Sequence, residues 1–251
     1  MKFTPLSQLF GLLGFACIAI SCNRTEHSET DALNGHYFNQ TFLGTAIDSV
    51  PGLINTYCYE LNFVGPDSVK IYYGFEEATL FYTKSGKKFA IKKALQDKDL
   101  LFSIDDTDKL ILEDSAWKQN DQNSTFVKSS STASGKWEFP SLLNSRMLAG
   151  SYEIFENGKL TGKKVVFDKN GTLTGLKDFT AYELCFSGDC VGEVNPISNN
   201  ITLSSAANSG TMYAFQFNRA KRILNIYNIE APIKDIKGER AIKDVAFELH
   251  Y

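Results

Sequence analysis

Residues 57–73 read YCYELNFVGPDSVKIYY, and this stretch decides the class of fold. Segments 57–64 and 68–73 are short runs of aromatic and branched side chains, broken by Gly65-Pro66-Asp67. Such side chains favour a pleated, half-buried strand, and the Gly-Pro-Asp break between them marks a turn. The same punctuation extends outward in both directions. Upstream, 35–42 reads as a strand. Downstream come 79–83, 88–92, 100–104, 109–113 and 125–128, with turns at Lys84-Ser85-Gly86-Lys87 and over 105–108. Eight short strands so closely spaced predict a meandering antiparallel barrel or sandwich over 33–128.

The segment 129–135 (SSSTASG) interrupts the pattern with small polar residues that cannot build a core, so a domain boundary is expected in a linker over 129–147. Trp137, Phe139 and Pro140 are expected to pack that linker against a domain. A second strand series occupies 148–251, at 151–156, 160–168, 172–176, 182–186, 190–194, 201–204, 212–217, 222–227 and 245–250. Asn157-Gly158 and Asn170-Gly171 are expected to turn as type I′ hairpins, which need positive φ at both central residues. Phe and Tyr number 19 and 11, and helical periodicity is scarce, so the class is all-β.

The two halves echo each other. Leu33-Asn34-Gly35-His36-Tyr37 returns as Leu148-Ala149-Gly150-Ser151-Tyr152, and Tyr59-Glu60-Leu61-Asn62-Phe63 returns as Tyr182-Glu183-Leu184-Cys185-Phe186. Segments 102–112 and 215–226 share a strand, a charged turn and a strand. Three echoes in one order point to an internal duplication. Leu-x-Gly-x-Tyr ahead of a barrel-sized meander resembles the start of lipocalin-like domains, where Gly-x-Trp holds that place. The resemblance implies two small antiparallel β-barrels in tandem, with Tyr37 and Tyr152 standing where the tryptophan would be.

The beginning of the chain places the protein. Lys2 precedes an apolar run over 9–20, too short for the roughly 20 residues that cross a bilayer, so it reads as an export signal over 1–21. Ala19-Ile20-Ser21-Cys22 resembles the lipobox of bacterial lipoproteins. That resemblance implies diacylglycerol on the Cys22 thiol, cleavage before Cys22 and usually acylation of its new amino group. The alternative is a signal peptide without lipid and an incidental cysteine. Two or more acyl chains would anchor the body durably, at about 0.8 kcal/mol per buried methylene. Segment 22–32 is then the acylated cysteine with a polar tether. The expected location is a Gram-negative envelope of Bacteroidota type, anchored to the outer membrane and either periplasmic or surface-exposed. The mature chain of about 230 residues carries 25 Lys+Arg against 29 Asp+Glu, which argues against nucleic acid as a partner.

Within the body, Cys185 and Cys190 flank a turn. Were Ser187-Gly188 a two-residue hairpin, the two cysteines would face each other in a close pair within disulfide range, and an exported protein can keep such a bridge. A redox pair or a metal site lacks the neighbours either would need. Cys58, between Tyr57 and Tyr59, reads as a small core residue. His27, His36 and His250 form no ligand spacing and no histidine–carboxylate constellation. Segments 105–108 and 168–171 lack the spacing of a calcium loop and read as turns. Lys84, Lys87, Lys88, Lys92 and Lys93 form a basic face, read as a solvated sheet edge. No Gly-x-Ser-x-Gly, Walker or His-Glu-x-x-His pattern occurs. We therefore expect no catalytic residue, no metal and no cofactor.

The leading expectation is a non-enzymatic, membrane-anchored lipoprotein that binds a small apolar ligand or another envelope component. Tyr57, Tyr59, Tyr72, Tyr73, Tyr182 and Phe186 would line its cavity, with strand alternation turning some outward. Filled barrels would instead favour a structural or interaction module for proteins or glycans at the cell surface.

Overall fold

The computed structural model describes residues 33–119, 121–130, 136–231 and 239–251. Cys22, the signal segment and the tether lie outside the described residues. The first half is a closed antiparallel barrel of β1 (Gly35–Asn39), β2 (Glu60–Phe63), β3 (Ser68–Tyr72), β4 (Glu77–Ser85), β5 (Lys88–Leu95), β6 (Lys98–Ile104), β7 (Leu110–Leu112) and β8 (Thr125–Lys128). Each strand pairs with the next in sequence, and β8 closes on β1 through Phe38 opposite Val127. All eight strands expected from residues 33–128 are present.

Alternation sends one face of every strand inward. Leu61, Val69, Ile71, Ile91, Leu100, Leu110 and Phe126 are fully buried. Phe63 meets Tyr82 edge-on at 5.1 Å, and Phe89 stacks on Phe102 at 4.8 Å. Side chains of this size fill an eight-stranded barrel, whose interior is just wide enough to hold them. Each fully buried apolar side chain contributes roughly 1.5–3 kcal/mol.

The expected strand over 35–42 ends early. Asn39 turns its side chain onto the amide of Phe42 at 2.9 Å and caps α1 (Gln40–Thr45). An asparagine accepting from the third residue onward satisfies a helix start that a strand would leave unpaired. The turn matters because it carries Phe42, Leu43 and Ala46 out of the barrel and into the other half's core.

The second half is a nine-stranded sheet. It comprises β9 (Gly150–Glu156), β10 (Lys159–Phe167), β11 (Leu173–Thr174), β12 (Ala181–Cys185), β13 (Val194–Asn195), β14 (Asn199–Ser205), β15 (Asn208–Asn218), β16 (Ile223–Ile229) and β17 (Arg240–His250). The order is β11-β10-β9-β17-β16-β15-β14-β12, with β13 pairing β17 in parallel. The outer strands meet at one bridge, Thr172 opposite Ala181, where the Tyr182 amide donates to the Gly171 carbonyl at 2.8 Å. Asn157 (φ 52°) and Gly158 (φ 78°) make the expected turn. At 168–171 only Gly171 has positive φ, and the Asp168 side chain accepts from the Asn170 amide at 2.9 Å, so an Asx turn replaces type I′.

Cys185 and Cys190 are bonded, with Cα atoms 5.9 Å apart. The expected hairpin around Ser187-Gly188 does not form. Residues 188–190 make a 3-10 turn, and β12 pairs with β14, Leu184 opposite Ile201. The close spacing of the cysteines brings the sulfurs together without a strand partner. Residues 139–147, expected as linker, form α2 (Phe139–Met147), in which Phe139 and Leu143 are fully buried.

Candidate functional site

The two halves meet along a seam built from aromatic rings. Phe139, at the start of α2, packs on Phe42 at 5.5 Å, Tyr59 at 4.9 Å and Phe186 at 5.6 Å. The Tyr59 hydroxyl donates to the Phe186 carbonyl at 3.0 Å. One continuous core therefore contains Phe42, Tyr59, Phe139, Phe186 and the interior of the second sheet. Trp137 stacks on Tyr72 at 5.2 Å and donates from Nε1 to Glu77 at 2.8 Å, so the chain entering α2 is strapped to the barrel wall.

Glu60 fastens this strap. Its carboxylate is buried and accepts from the backbone amides of Glu138 and Phe139, each at 2.8 Å, and from His36 Nδ1 at 2.5 Å. Those amides are unpaired donors at a helix start, where negative charge is favoured. Burial raises the Glu60 carboxyl above the ordinary 4.5, with the hydrogen bonds from His36 and the two amides opposing it. The expectation of no histidine–carboxylate constellation is thus overturned, for His36 with Glu60 and for His250 with Glu248 at 2.8 Å. No spacing rule could find the first pair, because residues 24 apart are joined only by β1 lying beside β2.

The loop carrying the disulfide seats against the barrel. A Cβ on Gly74 (φ +100°) would stand 2.0 Å from Ser187 Oγ, and one on Gly52 would stand 2.6 Å from Val191 Cγ1. Glycine at these points lets the loop and barrel backbones approach closely. The bridge closes a short loop and braces the piece that touches the other half.

Two clefts open on either side of the end of β12, sharing Glu183, Leu184 and Phe186 as walls. One, of about 390 Å³, lies between the disulfide loop and Gly74-Phe75. Phe75 is 67% exposed at its rim. The other, of about 250 Å³, is walled by Tyr72, Pro140, Asn144, Asn170 and Tyr182. Burial raises the Tyr72 phenol to about 12, helped by the nearby charges of Glu183 and Glu60. Among the described residues, neither cleft is lined by Lys, Arg or His.

The six aromatic residues expected around a cavity divide into two groups. Tyr72, Tyr182 and Phe186 line the clefts of the seam, and Tyr59 is buried directly beneath them. Tyr57 and Tyr73 lie apart, with their hydroxyls 2.9 Å from each other and Tyr57 against Trp117. Cys58 is buried and free, as expected of a core residue. On the expected basic face, Lys87 pairs with Asp106 and Lys92 with Asp99. Among the described residues no cluster of His, Cys, Asp and Glu could hold a metal ion, and no helix is long and apolar enough to cross a membrane.

Glu60, Glu183 and Asn144 belong to no functional motif of the sequence, and His36 stands there without a carboxylate partner. Glu60 and Glu183 hold the same place in the second echo, Tyr-Glu-Leu-x-Phe, which was the available signal. The fold and its clefts define an all-β protein with a closed eight-stranded barrel joined to a second sheet by an aromatic seam. Comparison adds no family to that class: no protein-family model, curated protein or solved structure matches the chain.

Proposed function

We propose that the protein is a non-enzymatic binding module of a Gram-negative envelope, held to the membrane through lipid on Cys22. Its body is two lipocalin-like barrels in tandem, and its ligand is an envelope component taken at the seam. The observation that carries this reading is the pair of clefts that open where the halves meet, walled by side chains of both.

Tandem duplication draws support from strand order. Counting round the second sheet from β9, with the Thr172–Ala181 bridge, gives eight positions like those of β1–β8. Gly-x-Tyr then opens the first position in both halves, and the echo of 102–112 with 215–226 falls on the sixth and seventh in both. The Tyr59 and Tyr182 echo falls on different positions, β2 and β12, so it does not mark equivalent strands.

Native mass spectrometry of the full chain, extracted in mild detergent, tests the reading. Protein carrying its own anchor lipid and no further apolar cargo is the expected result. A reproducible apolar cargo lost on denaturation would return the ligand to a barrel interior.

A further inference from the structure

The seam clefts have a particular chemistry. Glu183 is exposed on β12, and neither its carboxylate nor the Tyr72 hydroxyl has a hydrogen-bond partner among the described residues. Asn170, exposed on the facing turn, uses its side-chain oxygen with Ser141 at 3.4 Å and leaves its amide hydrogens open. The Leu184 peptide adds a further donor and acceptor. The Tyr182 amide points at Gly171, so the Leu184 amide and carbonyl, two residues on, point the same way, past the end of the bridge. Carboxylate, amide, phenol and peptide thus stand over an apolar floor of Leu184, Phe186 and Pro140.

From this arrangement we infer that the seam binds a neutral, hydroxyl-rich ligand, a pyranose unit of an envelope or surface glycan. Adjacent hydroxyls of a sugar each donate and accept, which suits a carboxylate beside an amide and a phenol. The C–H face of the ring suits the apolar floor. With no cation in either lining among the described residues and Glu183 between them, anionic groups such as uronates and phosphates are repelled. The two clefts flank one short segment, so neighbouring sugar units can occupy both.

The inference rests on the proposed binding role, and the test separates the two. The full chain, in a Trp117→Phe background, is titrated with neutral hexaoses of glucose, mannose and xylose and with an acidic hexaose of galacturonic acid. Fluorescence of Trp137, stacked on Tyr72, reports binding. At least one neutral hexaose is expected to give a saturable change and the acidic one none. Glu183→Ala and Tyr72→Phe should each weaken binding at least tenfold, while Leu101→Ser, at an exposed position outside both clefts, should leave it unchanged. No response to any neutral hexaose, or a response that Glu183→Ala and Tyr72→Phe both spare, overturns the inference. A photo-crosslinker at position 183 in intact cells then divides the failures. Capture of a component without sugar refutes the glycan and keeps the binding role, whereas capture of nothing removes both.

Discussion

Replacing Glu60 with alanine strips two backbone amides, Glu138 and Phe139, of their acceptor inside the seam. A buried donor left without a partner costs about 1–3 kcal/mol. Two such donors, less the relief of no longer burying a carboxylate, give a loss of about 3 kcal/mol for Glu60→Ala. Glutamine keeps an oxygen where both amides point and presents an amide hydrogen to His36, so Glu60→Gln should cost under about 1 kcal/mol at neutral pH. The two variants also separate in acid. Burial raises the Glu60 carboxyl in the folded protein, so near and just above its ordinary 4.5 the native state holds a proton that the unfolded chain has released. That contribution is complete below 4.5 and is lost as pH rises through the raised value. Glu60→Gln should therefore flatten the stability curve on the alkaline side of 4.5. Urea unfolding followed by circular dichroism and by Trp137 emission measures both effects. A Glu60→Ala midpoint equal to wild type, or equal losses in the two variants, would refute the capping argument.

Three further outcomes are expected. Burial raises the phenols of Tyr37, Tyr72 and Tyr152 to about 12, so part of the absorbance step at 295 nm should lag beyond pH 11. The stability these phenols lend is complete below pH 10 and lost as pH climbs towards 12; a single step near 10 in the folded protein would contradict the burial. Gly74→Ala forces a Cβ against Ser187 at positive φ and should lower stability by about 1–3 kcal/mol while leaving the Cys185–Cys190 bond intact. Wild-type stability in that variant would mean that the disulfide loop is not seated on the barrel. Cys22→Ser should release the protein from membranes into the soluble fraction and abolish labelling by radioactive fatty acid. Continued labelling would place the lipid elsewhere.

The expected eight strands of the first half are all present because the signal for them is local, short runs of aromatic and branched side chains, several of them ended by Gly or Asp as at Gly65, Gly74, Asp105 and Asp114. The departures arise where a side chain satisfies the backbone in a way that composition does not encode. Asn39 caps a helix within an expected strand, and Asp168 replaces a type I′ turn with its own hydrogen bond. The Cys185–Cys190 bond follows from proximity along the chain, which survives an incorrect local geometry. Of the site, Tyr72, Tyr182 and Phe186 were legible as aromatic residues on strands, though their place at a seam was not.

The sequence by itself determined the all-β class, the antiparallel meander of the first half and the nearness of the two cysteines, all set by neighbours within a few residues. Only the tertiary structure decided which inward rings of the barrel pack together, that Glu60 reaches amides 78 and 79 residues away, and that Tyr72 and Glu183 face one cleft. Those facts depend on which strand edges meet and on how α2 fills the space between the halves. They arise from packing between distant segments, for which a period-two pattern carries no information.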